Sequence, residues 1–482
     1  MIDLRPVGYV IGLLVAFLGF SMLLPMALDL AVGNGHAGVF LECAIVTVLT
    51  GVFLAISCAN SVEGGIGTRQ TFILTSGVWM VLPLFGALPF LRGATDASVT
   101  DAYFEAMSGL TTTGSTVFSG LDALPEGLLL WRSMLQWFGG IGIIVVAMVF
   151  LPELRVGGMQ IFRSEGFDTD GKVLPRAAEI ASRISIVYVS LTLACIFFYY
   201  MTNLSLFDAI NHALTTVSTG GFSTSDASFG KFSGAPEYVA TVFMVLASLP
   251  FVRYVQLLAG SSKPLFLDSQ VRAFLVVLLV VIVLMTLFRL LVGGDMFLPA
   301  IREATFNLTS IMTGTGYAST DYQLWGAFPV TVFFLIGLIG GCAGSTCCSV
   351  KVFRYQILIG AVGNQIRRIH SPHGVFQLKY EGRTVTEDVV SSVMAFLTLF
   401  IVTLGVVAVL LSATGLDFVT SVSGAATAIA NVGPGLGPII GPAGNFGDLN
   451  DVAKWILAFA MLAGRLELMV VFVLFTTRFW RS

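Results

Sequence analysis

Four short segments decide the fold of this chain: Thr111-Thr112-Thr113-Gly114-Ser115-Thr116, Ser218-Thr219-Gly220-Gly221-Phe222-Ser223, Gly314-Thr315-Gly316-Tyr317-Ala318-Ser319 and Asn431-Val432-Gly433-Pro434-Gly435. Aligned on Gly114, Gly220, Gly316 and Gly433, they recur at intervals of roughly 100 residues between long apolar stretches. One such segment alone is most simply a break or a packing point in a helix. Four of them in register predict a pore in which backbone carbonyls replace the hydration shell of an ion.

The composition places the chain in a lipid bilayer. Charged residues make up 11% of its 482 positions, compared with about 25% in ordinary soluble domains, and the mean hydropathy is +0.90. A transmembrane helix needs about 20 apolar residues. Stretches that are long enough and contain no Asp, Glu, Lys or Arg include 70–91, 133–152, 184–207, 322–350 and 389–416. We therefore predict an all-α polytopic membrane protein.

The apolar stretches and the glycine segments follow one another in a fixed order. Two helices near 7–31 and 36–58 come first, and four units follow, each made of a span, a short re-entrant helix, a glycine segment and a second span. This pattern predicts ten full crossings and four re-entrant half-helices around one pseudosymmetric pore. We expect an N-terminal transmembrane pair and four pore repeats with the boundaries 1–62, 63–165, 166–265, 266–370 and 371–482.

The basic residues indicate the orientation in the membrane. With the N-terminus in the cytoplasm, 17 of the 25 lysines and arginines lie on the inner side and six on the outer side. This distribution agrees with the positive-inside rule. Both termini are then cytoplasmic, and the loops 153–183 and 361–388 face the cytoplasm as well. These basic loops, which include Arg367 and Arg368, form a hypothetical docking surface for a partner.

An acidic residue lies near the start of each predicted re-entrant helix. A negative charge there meets the positive end of the helix dipole. The opposite, partly negative end points toward the pore centre and favours a cation. Glycine in the segment that follows allows backbone angles that a side chain would forbid. The four acidic residues are Asp101, Asp208, Glu303 and Asp417.

The second span of the third unit is predicted to be interrupted. Residues 337–349 contain too many small and polar residues, among them Gly340, Gly341, Gly344 and Ser345, for a continuous helix by default. We predict an irregular loop just below the glycine segments. The alternative is a small-residue surface for helix packing.

Arg465 lies within the last apolar span, where a charged side chain costs at least about 2.5–3.5 kcal/mol of insertion free energy. One interpretation is a positive barrier under the pore, held against carbonyls of the irregular loop. The alternative is a structural ion pair with Glu467, although residues i and i+2 point apart on a helix.

Further motifs give the chain a family resemblance. They are Trp131-Arg132, Leu135-Gln136-Trp137-Phe138-Gly139-Gly140-Ile141-Gly142, Leu151-Pro152, Val156-Gly157-Gly158-Met159, Gly340-Gly341-Cys342-Ala343-Gly344-Ser345-Thr346-Cys347 with Lys351, and Asn431-Val432-Gly433-Pro434-Gly435-Leu436-Gly437. Over essentially its whole length the chain resembles the Trk/Ktr/HKT superfamily of potassium uptake proteins, and more closely the bacterial TrkH/TrkG type. The first helix pair matches the extra pair of TrkH-type members.

The resemblance implies a gated potassium pathway in the bacterial inner (cytoplasmic) membrane and not an enzyme. K⁺ is then the transported substrate, no organic cofactor is bound by this chain, and a glycine at the position of Gly114 favours K⁺ over Na⁺. Coupling to H⁺ or Na⁺ in a symport remains open beside channel-like flux. The implied partners are a second copy in a homodimer, a cytoplasmic nucleotide-binding ring of the TrkA type and membrane lipid, with no nucleic acid.

The resemblance also assigns individual residues. The implied filter consists of Thr112, Thr113, Gly114, Ser218, Thr219, Gly220, Thr315, Gly316, Asn431, Val432 and Gly433. K⁺ is expected at the backbone carbonyls of Thr113, Thr219, Thr315 and Val432. The residues implied for gating are Gly340, Gly341, Gly344, Ser345, Lys351 and Arg465.

A secondary transporter for an organic solute is the main alternative function. It predicts a roomy site at the bilayer midplane and inverted two-repeat symmetry. Four equivalent units whose segments lack a cluster of ligand-binding side chains argue against it. An enzyme is favoured least, because the sequence pairs no nucleophile with a base and presents no nucleotide-binding loop.

Overall fold

The computed structural model describes residues 3–60, 67–146, 157–159 and 173–481. Leu151, Pro152 and, in the hypothetical docking surface, residues 153–156 and 160–172 lie outside the described residues. The N-terminal helices are α1 (Arg5–Ser21), α2 (Leu23–Val32) and α3 (Ala37–Cys58). The first unit contains α4 (Thr68–Gly86), α5 (Leu88–Arg92), α6 (Val99–Leu110) and α7 (Glu126–Val145).

The other three units repeat this order of elements. The second contains α8 (Val173–Met201), α9 (Leu206–Val217), α10 (Ala235–Ala247), α11 (Phe251–Leu258) and α12 (Lys263–Leu267). The third contains α13 (Ser269–Phe288), α14 (Phe297–Met312), α15 (Ala327–Gly337) and α16 (Val352–His370). The fourth contains the antiparallel strands β1 (Lys379–Tyr380) and β2 (Arg383–Thr384), followed by α17 (Glu387–Ala413), α18 (Phe418–Ala430), α19 (Asp451–Arg465), α20 (Met469–Leu474) and α21 (Thr477–Trp480).

The N-terminal helices α1 and α3 approach each other backbone to backbone. A Cβ atom added to Gly12 would lie 2.6 Å from the backbone nitrogen of Ala55 and 2.7 Å from the carbonyl oxygen of Gly51. Small residues permit such close approach between membrane helices. Asp29, buried on α2, then ties this pair to the first unit, because its Oδ1 accepts a hydrogen bond from the backbone of Gly127 on α7 at 2.8 Å.

Four short helices, α6, α9, α14 and α18, each run directly into a glycine segment. The side-chain oxygens of Ser98, Ser205 and Asp417 cap three of them, each accepting a first-turn backbone N–H at 3.0–3.1 Å. The expectation of an acidic residue near the helix start is wrong for the third. Helix α14 begins six residues before Glu303, whose carboxylate instead binds Arg289 at 2.8 Å.

The second spans of three units are broken. Seven helical stretches in the described part of the chain are long and apolar enough to cross a membrane, and α10 with α11, a pair bent by 89°, adds an eighth if it is counted as one broken span. Residues 338–351 separate α15 from α16, and residues 466–468 separate α19 from α20. The sequence predicted the interruption in the third unit and did not predict those in the second and fourth units. Pro250 has no N–H to continue a helix, and Glu467 and Leu468 have φ of 63° and 42°.

The irregular segment 338–351 confirms the interruption predicted in the third unit. Its backbone pairs with the break in the second unit, where Phe251 N donates to Gly344 O at 2.9 Å and Cys342 N donates to Ser248 O at 3.0 Å. Backbone that leaves helical geometry at membrane depth needs such partners inside the protein. The two breaks therefore supply hydrogen-bond partners for each other's backbone groups.

Candidate functional site

Each of the four short helices ends in the same tight turn. One residue of each segment has a left-handed backbone, with φ between 51° and 74°: Thr112, Thr219, Gly314 and Asn431. The backbone nitrogen of the next residue then donates to the carbonyl five residues earlier, at 2.8–3.1 Å, in all four segments. The residues that donate this backbone hydrogen bond are Thr113, Gly220, Thr315 and Val432. These four residues are therefore structurally equivalent.

The next residue of each segment closes a ring. It is a glycine with φ between 78° and 104° in every case: Gly114, Gly221, Gly316 and Gly433. A Cβ atom added to any of them would lie closer than 3.0 Å to a carbonyl oxygen of the neighbouring segment. Those carbonyls belong in turn to Gly220, Thr315, Val432 and Thr113. We call these four groups the carbonyl ring; the segments follow one another around it in chain order.

The ring corrects the expected register of the second segment by one residue. Gly221, and not Gly220, occupies the place of Gly114. Thr219 then corresponds to Thr112, so the carbonyl expected from Thr219 is supplied by Gly220. Ser218 lies one residue before the turn, at the end of α9. The other predicted segment residues occupy the turn and the ring as expected.

Buried hydroxyl and amide groups connect neighbouring segments by hydrogen bonds. Asn431 Nδ2 donates to Thr113 Oγ1 at 2.8 Å, which joins the fourth segment to the first. Ser115 Oγ donates to the Gly433 carbonyl at 2.8 Å across the same boundary. These two hydrogen bonds fix the fourth segment against the first.

A buried ion pair joins the first and second segments. Arg132 Nε lies 2.8 Å from Glu105 Oε1, and both side chains are essentially inaccessible to solvent. Arg132 also donates to the carbonyl of Ser223 at 2.9 Å, while Glu105 accepts from the backbone nitrogen of Val117 at 2.9 Å. The sequence signal was a charged residue inside an apolar span, at Trp131-Arg132.

A vestibule of about 290 Å³ adjoins the ring and is lined by all four segments. In its surrounding loops, outside the membrane-spanning helices, Lys231 Nζ lies 2.6 Å from Asp122 Oδ1. The hydrogen bond from Lys231 holds the pKa of the Asp122 carboxyl below its ordinary 3.8, and Asp122 raises the pKa of Lys231 above 10.5. The pair therefore weakens only as the pH falls below the Asp122 pKa or rises above the Lys231 pKa, and it stays ionised near neutrality.

Gly340, Gly341, Gly344 and Ser345 all lie in the irregular segment 338–351, as predicted. The segment folds on itself, with Gly340 N donating to Val350 O at 2.9 Å and Ser345 Oγ donating to Cys342 O at 2.7 Å. The buried ammonium of Lys351 binds the Cys347 carbonyl. The cation at position 351 therefore helps to hold the loop closed on itself.

Arg465 is buried between this loop and the first unit. Its guanidinium donates to the Thr346 carbonyl at 3.4 Å and to the Gly139 carbonyl at 3.3 Å, and it contacts the Cys348 thiol. Glu467 pairs instead with Arg354. The alternative of an Arg465–Glu467 pair is therefore wrong, and the carbonyl contacts follow the first interpretation.

We expect Arg132→Met to destabilise the fold, because it leaves the buried Glu105 carboxylate without its partner. Breaking one side of a buried pair typically costs about 3–5 kcal/mol. The double variant Arg132→Met/Glu105→Gln should recover most of the loss. Thermal unfolding in detergent, followed by size-exclusion chromatography, measures both. Arg5→Met, which removes an exposed pair with Asp3, is the control; an equal unfolding temperature for Arg5→Met and Arg132→Met would contradict the prediction.

Known proteins resemble this chain over its full length. It matches the TrkH family, described as cation transport protein, over residues 37–482. It is 42% identical over 479 residues to the Trk system potassium uptake protein TrkI of Halomonas elongata, covering 99% of this chain and 97% of that protein. It is 36% identical over 486 residues to the Trk system potassium uptake protein TrkH of Escherichia coli K12, covering 99% of each.

A solved structure gives the same result. The crystal structure of the potassium transporter TrkH from Vibrio parahaemolyticus matches with a TM-score of 0.92 and 34% sequence identity, covering 100% of both chains. The fold, with its mostly helical membrane spans, agrees with the all-α polytopic class predicted from the sequence. The chain belongs to the TrkH family of cation transport proteins.

Proposed function

We propose that this chain carries potassium ions into a bacterial cell through the carbonyl ring. The observation that carries the proposal is the equivalence of four backbone carbonyls from one polypeptide. Each of them lies in close contact with a glycine of a neighbouring segment. Carbonyl oxygens can replace the hydration shell of K⁺. The relatives are named as potassium uptake proteins, and their family consists of transporters and not of enzymes.

The filter in this proposal consists of residues 112–114, 219–221, 314–316 and 431–433. K⁺ is bound by the carbonyls of Thr113, Gly220, Thr315 and Val432. The short helices before these segments direct the negative ends of their dipoles toward the ion. We retain the division into an N-terminal pair, 1–62, and four pore repeats, 63–165, 166–265, 266–370 and 371–482, since each repeat carries one turn of the ring.

The gate in this proposal is the irregular segment with the two cations beside it. Gly340, Gly341, Gly344 and Ser345 give a loop that changes shape without side-chain clashes, and Lys351 holds it closed. Arg465 adds a positive charge below the ring and anchors the loop to the first unit through the Thr346 and Gly139 carbonyls. Because a K⁺ ion is repelled there, flux requires the loop and Arg465 to separate.

We further propose an assembly of two chains with a cytoplasmic nucleotide-binding ring in the inner membrane, both termini facing the cytoplasm. The names of the relatives place them in Trk systems. Helix α16 ends in a basic last turn with Arg367 and Arg368, and both side chains are exposed. An exposed basic helix end on the inner side is a suitable contact for an acidic protein surface.

The first test is ⁸⁶Rb⁺ uptake into proteoliposomes that contain this chain, alone and with the nucleotide-binding ring of its own Trk system. We expect unlabelled K⁺ to compete and Na⁺ at the same concentration to compete far less, because the carbonyl ring fits the larger ion. Gly114→Ser should weaken this discrimination by placing a Cβ atom against the Gly220 carbonyl. Equal competition by both ions would contradict the potassium pathway, and flux of organic solutes without Rb⁺ flux would favour the secondary transporter.

The second test concerns the gate. Arg465→Ala should raise ⁸⁶Rb⁺ flux in the absence of the regulatory ring, because it removes a buried positive charge and a loop anchor together. Arg272→Met, which removes an exposed arginine, controls for the change in net charge. Basal flux equal to that of the unaltered chain would assign Arg465 a purely structural part.

The third test concerns the assembly and uses native mass spectrometry of the solubilised complex. The 51.4 kDa chain should appear as a pair, bound to the ring. Charge reversal at both Arg367 and Arg368 to Glu should release the ring and leave the pair intact, whereas Lys263→Glu, another exposed charge reversal, should not. Retention of the ring by the double variant would remove α16 from the docking surface, and a single chain per particle would contradict the pair.

A further inference from the structure

The four carbonyls of the ring do not have equal surroundings. The Gly220 carbonyl accepts a hydrogen bond from Gln136 Nε2 at 2.6 Å. Among the hydrogen bonds of the described residues, the carbonyls of Thr113, Thr315 and Val432 accept none. One member of the ring is therefore restrained by a side chain and three are not.

Gln136 holds the second segment at two points. Its side chain is fully buried on α7, and its Oε1 accepts from the backbone nitrogen of Phe222 at 3.0 Å. The two bonds lie on either side of Gly221, the ring glycine of this segment. Only one orientation of the amide satisfies both, because the oxygen must face an N–H and the nitrogen must face a carbonyl.

Helix α7 adds a third contact one turn away. Arg132 lies four residues before Gln136 and therefore on the same helical face. Its guanidinium donates to the Ser223 carbonyl at 2.9 Å and lies 4.2 Å from the ring centre of Phe222. The second segment is thus fastened to a helix of the first unit from Gly220 to Ser223.

A restrained carbonyl matters for the choice between two ions of the same charge. A smaller ion needs the ring to contract, and each carbonyl must move or rotate inward to reach it. The hydrogen bond from Gln136 uses one lone pair of the Gly220 oxygen and fixes the direction of the carbonyl. A buried, fully partnered bond of this kind resists such a movement.

We propose that Gln136 is a specificity-determining residue that sets the ring to the size of K⁺ by restraining the Gly220 carbonyl. The proposal rests on the proposed function, in which the ring is the selectivity filter. Without Gln136, the Gly220 carbonyl moves freely toward a smaller ion, and Na⁺ competes better. The total number of oxygen ligands is unchanged, so transport itself continues.

The test compares variants by the ratio of the Na⁺ and K⁺ concentrations that halve ⁸⁶Rb⁺ uptake into proteoliposomes. Gln136→Met keeps the length of the side chain and removes both hydrogen bonds. We expect the ratio to fall about tenfold, which corresponds to about 1.4 kcal/mol, with uptake retained. Gln136→Glu is the conservative variant: at this fully buried position the neutral acid is favoured, and its hydroxyl donates to the Gly220 carbonyl while its carbonyl oxygen accepts from Phe222 N. We therefore expect Gln136→Glu to retain the ratio.

Gln323→Met is the matched control. The Gln323 amide also binds backbone just after the fourth segment, accepting from Gly437 N at 2.6 Å, and among the described hydrogen bonds it makes none to a carbonyl of the ring. We expect an unchanged ratio for Gln323→Met. Gly221→Ala, which places a methyl group against the Thr315 carbonyl, tests the filter itself and should abolish uptake or selectivity.

The outcomes separate the two proposals. If Gly221→Ala is defective and Gln136→Met keeps the unaltered ratio, the part assigned to Gln136 is wrong and the filter stands. If Gln136→Met loses the ratio and Gln136→Glu does not restore it, the hydrogen bond to the Gly220 carbonyl is not the cause and the proposal is overturned. If Gly221→Ala transports with unchanged selectivity, the filter fails and the inference fails with it. Should Gln136→Met not elute as folded protein, Gln136→Leu, which also removes both hydrogen bonds, takes its place.

Discussion

At the centre of this molecule, the Cα atoms of four glycines lie against carbonyl oxygens of the neighbouring segments, with no room for a methyl group. This contact can form only if all four short helices end at the same depth and the four segments follow one another around an axis. Three kinds of interaction hold the helices and segments in this arrangement. They are the caps at the helix starts, the buried ion pair between Arg132 and Glu105, and the hydrogen bond from Asn431 to Thr113. The outer architecture is therefore a support for a ring of backbone atoms.

The basic side chains on the two sides of the carbonyl ring have different kinds of partner. Toward the vestibule, Arg132 has Glu105 and Lys231 has Asp122 as carboxylate partners. On the other side, Glu467 pairs with Arg354, so among the described residues Arg465 has carbonyl and thiol contacts and no carboxylate partner. A buried cation without an anion is costly in a low-dielectric interior. In the proposed function, this cation is the barrier that is removed when the loop moves.

The broken spans and the loop depend on one another. A transmembrane helix satisfies its own backbone, whereas each break leaves donors and acceptors that cost several kcal/mol apiece in lipid. The break before Phe251 and the irregular segment of the third unit exchange backbone hydrogen bonds. The fourth unit joins them through Ser349 N, which donates to Ala430 O at 3.0 Å. A movement of the loop consequently changes the support of two other units.

The sequence by itself determined the membrane class, the order of the elements, the four segments and the interruption at 337–349, because these follow from local composition and spacing. It did not determine the register of the second segment, since Gly220 and Gly221 are adjacent and either one permits the turn. Only the contact of Gly221 with the Thr315 carbonyl decided it. The same holds for Glu467, whose partner Arg354 is distant in sequence, and for Gln136, whose amide reaches a different unit. Local residue preferences limit what a segment can form, and contacts between units select which of those forms is present.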